Sequence, residues 1–300
     1  MFENLLGNDK IKKLLEKTIN EDKILHSYIF DGEEGIGKRL FALDFSKAIL
    51  CTSTDIKPCQ ICKSCIEFNN FNNPDLLQVE SLDGKNIKIE QIRELLTKIA
   101  EKPINSDRKV IIINNSELMT KEAQNALLKT LEEPPQYITI ILITSNQSKL
   151  LTTIKSRCTK ILFDGLSKEE ILSYLKQKGL DLNISDRILK AGNGSLSKTL
   201  DLIEKQDLYL KLDNIFNNIE KCDIVDLWKQ AEILYKEKEE IIGLLEYINI
   251  ILYENLLKDN NIKYINSVKI VEETKKRIMA NSNYDMSIDN LLLRIWEEFN

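Results

Sequence analysis

The chain has 300 residues, 43% of them hydrophobic and 30% charged, with a formal charge of −5. This composition suits two or three folded domains, excludes wholesale disorder and gives no support to a free-standing nucleic-acid binder, while leaving a local basic face open. The single histidine, His26, excludes any multi-histidine metal centre and H-E-x-x-H protease chemistry.

No basic segment followed by an apolar one opens the chain, and no stretch approaches 18 uncharged apolar residues. The most apolar long segment, Ile241 to Leu257, is interrupted by Glu246 and Glu254 and reads as a buried helix. A cytoplasmic protein without a membrane span is expected, its six cysteines reduced or bound to metal.

Strand and helix patterns alternate through the first half. Tyr28-Ile29-Phe30 is a short apolar run ending at Asp31-Gly32, and a helical pattern follows through Leu40, Phe41, Leu43, Phe45 and Ile49. Residues 87–100 carry apolar side chains at helical spacing. Val110 to Ile113 is a β-branched run, as in a strand buried on both faces. Thr120 is placed to cap a helix that Pro134-Pro135 ends, and Ile138 to Ile143 forms another buried strand. Such alternation predicts an α/β fold, a parallel sheet with helices on both faces.

At Gly165 the pattern changes. Ser167 and Glu170 form a capping box, and almost everything beyond has helical period, with stops at Gly179 and Gly192-Asn193-Gly194. The expected domains are 1–165, a small helical lid at 166–205 and an all-helical domain at 206–300. In the last of these, Ile241, Leu244, Leu245, Ile248, Ile251 and Leu252 make a continuous apolar stripe, read as part core and part assembly surface.

Gly32-Glu33-Glu34-Gly35-Ile36-Gly37-Lys38-Arg39 matches G-x-x-x-x-G-K but lacks the final Ser or Thr. Gly32, Gly35 and Gly37 allow backbone N–H groups to curl around phosphates, and Lys38 could reach the β- and γ-phosphates. Arg39 stands where a hydroxyl would hold Mg²⁺, and a guanidinium cannot take that role. The second half of an ATPase site needs carboxylates at the end of a neighbouring strand, yet the run Lys109–Ile113 ends in Asn114-Asn115. Glu117 lies two residues further on and is expected to point elsewhere. Hydrolysis is therefore not expected. Whether the loop still binds nucleotide or is only a tight turn stays open.

Cys51, Cys59, Cys62 and Cys65 give C-x7-C-x2-C-x2-C, a spacing that places four thiolates around one tetrahedral, structural Zn²⁺. An Fe–S cluster would suit the x2 spacings, but the usual following cysteine and proline are absent; four reduced thiols are the remaining alternative. Cys158 and Cys222 are expected to be buried apolar residues, and His26 a hydrogen-bonded structural one.

These motifs, with Asn125 to Pro135 and the turn Ser156-Arg157-Cys158 following a strand, occur in an order that resembles bacterial DNA polymerase III clamp-loader subunits of the AAA+ class over residues 1–200. Residues 206–300 match only in being helical, like the family's oligomerising collar. The resemblance implies an AAA+ sheet, lid and collar. The family's motor (gamma/tau) subunits keep the hydroxyl after the lysine, an Asp-Glu pair at the positions of Asn114-Asn115 and a lid arginine where this chain has Ser197. Its delta subunits usually lack the cysteine module and the Ser-Arg-Cys turn. The departures thus resemble delta prime subunits, with Thr152 replacing a frequent proline.

For delta prime the resemblance implies a non-catalytic place in a ring with gamma/tau and delta subunits that loads the sliding clamp on primed DNA. It also implies that Arg157 reaches the γ-phosphate in an adjacent motor's site, and that a polar sensor lies at Thr144-Ser145-Asn146, which reads equally as a capped turn. An active motor subunit is the alternative, and it lacks the groups for hydrolysis. A P-loop kinase with a zinc lid would need more arginines than the Arg157 and Arg187 found in residues 150–200.

Overall fold

The computed structural model describes residues 1–81, 84–180 and 184–300. Five parallel strands form one sheet: β1 (Ser27–Asp31), β2 (Leu76–Val79), β3 (Lys109–Ile113), β4 (Ile138–Thr144) and β5 (Thr159–Leu162), in the order β2-β3-β4-β1-β5. The central three are buried along their whole length, which is why their sequences are continuous Ile, Val and aromatic runs. β2 and β5 are edge strands and are only partly buried.

Side-chain alternation along β1 divides the core. Tyr28 and Phe30 pack with Leu15, Phe41 and Phe45 from α1 (Asp9–Asn20) and α2 (Lys38–Leu50). Ile29 lies on the other face with α4 (Ile89–Ile99) and α5 (Lys121–Glu132), which contribute Leu95 and Leu127. Three shorter helices complete this part: α3 (Lys63–Asn69), α6 (Thr152–Lys155) and α7 (Lys168–Gln177).

Local capping fixes where these helices start and stop. Thr120 Oγ1 accepts the Ala123 N–H at 3.2 Å. Ser167 and Glu170 exchange hydrogen bonds of 3.2 and 2.8 Å, as the capping box requires. Lys109 is buried, and its ammonium donates to the carbonyls of Lys98 and Glu101 at 2.9 Å each, where the end of α4 needs a cation.

The chain divides into two compact units. The first holds Met1–Gly179 with Gly194–Leu196, and the second holds Leu180–Asn193 with Ser197–Asn300. The lid expected over 166–205 is thus shared out: α7 stands in the first unit, while α8 (Asp186–Gly192) and nearly all of α9 (Leu196–Glu204) stand in the second. The second unit continues through α10 (Gln206–Asn217), α11 (Ile224–Gln230), α12 (Glu232–Lys236), α13 (Ile241–Asp259), α14 (Ile262–Met279) and α15 (Tyr284–Phe299).

α13 is its centre and packs against α8, α10 and α14. All six residues of the apolar stripe, from Ile241 to Leu252, are buried in this unit's own core, so the stripe is not an assembly surface. Exposed apolar side chains lie instead at Tyr253, Leu257 and Ile262. Arg187 holds α8 in place. It pairs with Glu254 at 2.6 Å and with Asp213, and its third nitrogen reaches Asn217 at 3.2 Å. Among the described residues no helix is long and apolar enough to cross a membrane.

Candidate functional site

β1 ends at Asp31 and the chain turns sharply. A Cβ on Gly32 would stand 2.6 Å from the Phe163 carbonyl oxygen and 2.8 Å from Ile36 Cδ1, so only glycine fits. Gly35 and Gly37 have φ of 77° and 95°, and α2 starts directly at Lys38. The loop therefore has the strand–turn–helix geometry of a phosphate cradle.

Its lysine is turned inward. Lys38 is 6% exposed, and Nζ donates to the carbonyls of Gly32 at 2.6 Å and Glu33 at 2.5 Å. Burial lowers its pKa, against the raising influence of Glu117, Glu34, Asp31 and Glu33. Arg39 points outward and pairs with Glu80 at 3.3 Å, both half exposed.

The opposite wall follows β3. Asn114 donates its N–H to the Val79 carbonyl at 2.9 Å. Asn115 is left-handed, with φ 49°, and starts a 3-10 turn over Ser116–Leu118. The Ser116 hydroxyl binds the Ile143 carbonyl at 2.9 Å and fixes that turn against β4. The reversal at Asn115 brings Glu117 back to the strand ends, contrary to the sequence expectation.

Glu117 Oε1 accepts from the Ser145 hydroxyl at 2.7 Å, and Oε2 is buried with no hydrogen-bond partner among the described residues. Burial raises its pKa, but the hydroxyls of Ser145 and Thr144 and nearby backbone N–H groups more than offset this and hold the carboxyl below its ordinary range. A cavity of about 660 Å³ lies here, lined among others by Glu33, Glu34, Asn115, Glu117, Ser145 and Lys149. It occupies the crevice beyond the carboxyl ends of the strands, where open α/β sheets bind ligands. Of the residues read from sequence as the phosphate site and its acidic partner, Asn115 lines this cavity and neither Lys38 nor Arg39 does. Ser145 and Asn146 line it too, and Asn146 also caps the next turn by accepting the Ser148 N–H at 3.0 Å.

The four module cysteines come together at the far end of α2. Cys51 ends that helix and Cys62 caps α3, its Sγ accepting the Cys65 N–H at 3.4 Å. The N–H groups of Cys59 and Cys62 reach Cys51 Sγ and Cys59 Sγ, each at 3.3 Å. All four Sγ atoms lie within 4.8 Å of one another, and those of Cys51 and Cys62 are 4.0 Å apart. Sulfurs at ~2.3 Å from a tetrahedral Zn²⁺ would be ~3.8 Å apart, so the spacing is compatible with that ion.

The module is bound to the sheet by polar contacts. Ser106 Oγ meets Ser64 Oγ at 3.1 Å and the Leu50 carbonyl at 2.7 Å. Asp75, fully buried, accepts the N–H groups of Ile104, Asn105 and Ser106 at 2.7, 2.8 and 2.9 Å.

Ser156-Arg157-Cys158 lies between the short helix α6 and β5, and so follows a helical turn where a strand was expected. The Arg157 carbonyl accepts from Ser27 Oγ at 2.8 Å. Its guanidinium is one-third exposed, with Nη2 at 2.6 Å from Glu132 Oε1 and Nη1 donating to the Thr153 carbonyl at 2.9 Å. Ser27 opens β1, whereas the cavity lies past its other end at Asp31. Four residue steps of strand separate the two, ~13 Å, so Arg157 and the cavity occupy opposite rims of the sheet.

Cys158 is half-buried against the sheet core, and burial pushes its thiol up to about 11. Cys222 is half-buried too. His26 corrects the expectation made for it: the residue is exposed, and its carbonyl accepts the Ile140 N–H at 2.9 Å.

Residues 7–167 match the family described as "DNA polymerase III, delta subunit". DNA polymerase III subunit gamma/tau of Mycoplasma genitalium is 34% identical over 238 residues, covering 78% of this chain and 39% of that protein. DNA polymerase III subunit delta' of Bacillus subtilis is 30% identical over 234 residues, covering 76% of this chain and 71% of that protein. A solved gamma subunit-related protein of Thermotoga maritima shares the fold, with a TM-score of 0.55 at 20% identity, over 95% of this chain and 99% of that one. The chain thus spans well under half of the gamma/tau relative and most of the delta' relative. With more than half of its residues inside the family match and the delta' relative aligned over most of its length, the chain belongs to the DNA polymerase III delta subunit family, within the AAA+ clamp-loader class.

Proposed function

We propose that this chain is the delta prime subunit of a DNA polymerase III clamp loader, a ring member that hydrolyses no ATP and supplies Arg157 to a neighbouring ATPase subunit. The observation that carries this reading is the make-up of the cavity beyond β1, β3 and β4. Asn115 stands in it where a hydrolytic site needs a carboxylate, Arg39 is engaged outside it, and Lys38 is committed to its own loop. A triphosphate would meet Glu33, Glu34 and Glu117 against Lys149. The place of Arg157 on the other rim supports action in trans, where a finger contributes ~10³–10⁵ in rate to phosphoryl transfer.

The same reading assigns Cys51, Cys59, Cys62 and Cys65 to one structural Zn²⁺, a closed set of four thiolates with no open position for catalysis. Partners would be gamma/tau and delta subunits. Residues 206–300 would form the assembly surface, with Tyr253, Leu257 and Ile262 as its exposed apolar contacts. The sliding clamp and primed DNA would be engaged by the assembled ring.

An active motor subunit is the second reading, favoured by the 34% identity to a gamma/tau protein and by Glu117, a carboxylate at the cavity with one oxygen unpartnered among the described residues. Turnover of Mg²⁺-ATP by the purified chain separates the two. The delta prime reading expects none above the level of Lys38→Ala. Turnover that co-purifies with the chain and disappears in Lys38→Ala would establish the motor reading instead.

A further inference from the structure

Resting on the trans role just proposed for Arg157, we propose that Glu132 is its latch, a carboxylate that holds the guanidinium in cis until a γ-phosphate on the neighbouring subunit displaces it. Glu132 is the last residue of α5, ahead of Glu133 and Pro134-Pro135. A negative charge at a helix C-terminus opposes the dipole, so the helix itself gains nothing from an acid there. What the position does provide is a partner for Arg157: Oε1 stands 2.6 Å from Nη2.

The other contacts of the arginine are of a different kind. Its carbonyl is fixed by Ser27, and Nη1 meets the Thr153 carbonyl at 2.9 Å and Ser156 Oγ at 3.3 Å, both within its own turn. These set the base of the arm and one corner of the fork. Nε carries no partner among the described residues, so Nε–H and the second N–H of Nη2 remain for an incoming oxyanion. Among the described residues Glu132 is the one charged group from another element that holds the fork, and its side chain is 49% exposed. An exposed pair of this sort is weak, whereas a terminal phosphate brings more charge and more acceptor oxygens. The pair is therefore weak enough for the γ-phosphate of ATP in trans to displace it, and Glu132 acts as a positioning residue through Arg157.

The test is a double-mutant cycle in the ring assembled from the full chain with its gamma/tau and delta partners, reading DNA-stimulated ATP turnover against ATP concentration. Glu132→Ala removes the competitor, so half-saturating ATP at the site facing this chain should fall about two- to fivefold, with turnover at saturation unchanged. Glu132→Gln keeps a hydrogen-bonding oxygen without the charge and should shift the same way by less. In an Arg157→Ala background the shift should vanish. Half-saturation unmoved by Glu132→Ala, a fall in saturating turnover, or an equal shift without Arg157 would each overturn the latch while leaving the finger in place. Parental turnover in Arg157→Ala alone would remove the finger reading, and the latch with it.

Discussion

Burial and ionisation oppose one another at Glu117. Burial favours the neutral acid, while the Ser145 and Thr144 hydroxyls and nearby N–H groups favour the carboxylate and prevail, so the folded pKa lies below the ordinary value of 4.5. A carboxyl depressed in this way contributes stability that is present above pH 4.5 and is lost as pH falls through the folded value. Glu117→Gln should therefore differ from the parent in urea midpoint above pH 4.5, and the difference should shrink below it. A constant difference from pH 3 to pH 7 would contradict this. No spacing rule in the sequence marks the residue. The available signal is Asn115, a residue type that tolerates the left-handed region, at the point where the chain must reverse. Lys38 is a similar case: the motif names it, but where its ammonium goes depends on the Gly32 and Glu33 carbonyls.

The cysteine module shows what an element of 7 residues owes to its surroundings. α3 is too short to stand alone in water and is held by Cys62, Asn73 and the Ser64–Ser106 contact. With four thiolates and a bound ion the module gains its own constraint. Chelation should release about one equivalent of Zn²⁺ and speed amide exchange over residues 51–70, leaving exchange in β1, β3 and β4 slow because their core is separate. Iron in the metal analysis, or loss of sheet protection on chelation, would refute it. β1, β3 and β4 were readable because burial on both faces demands unbroken apolar runs. β2 and β5 were not, since Gln78 and Lys160 interrupt edge strands that solvent partly covers. α3 escaped because seven residues carry too little periodicity to read.

At the scale of the chain, the division into units bears on where it can be cut. α8 and α9 send Ile188, Ala191 and Leu202 into the core formed by the later helices, and Arg187 adds charged contacts to α10 and α13. A chain ending after residue 205 keeps these two helices and removes everything that covers them. It should bind a hydrophobic dye and associate, whereas a chain ending after Gly179 should be monomeric, retain its metal and melt cooperatively. Equal behaviour of the two truncations would show that α8 and α9 do not need the second unit. Both tryptophans, Trp228 and Trp296, lie in that unit, so their fluorescence reports its unfolding alone.

Parallel strands give the sheet a polarity, with the glycine turn on one rim and Arg157 on the other. Subunits that join rim to rim form a directed, heterologous series, in which each copy is a donor to one side and an acceptor to the other. On the proposed reading this chain is a member whose acceptor rim hydrolyses no ATP while it still donates, so it would end the series of active sites in one direction only. A ring that contains it has a distinguishable first and last site, and rotational symmetry among its sites is lost through a handful of residues around one cavity.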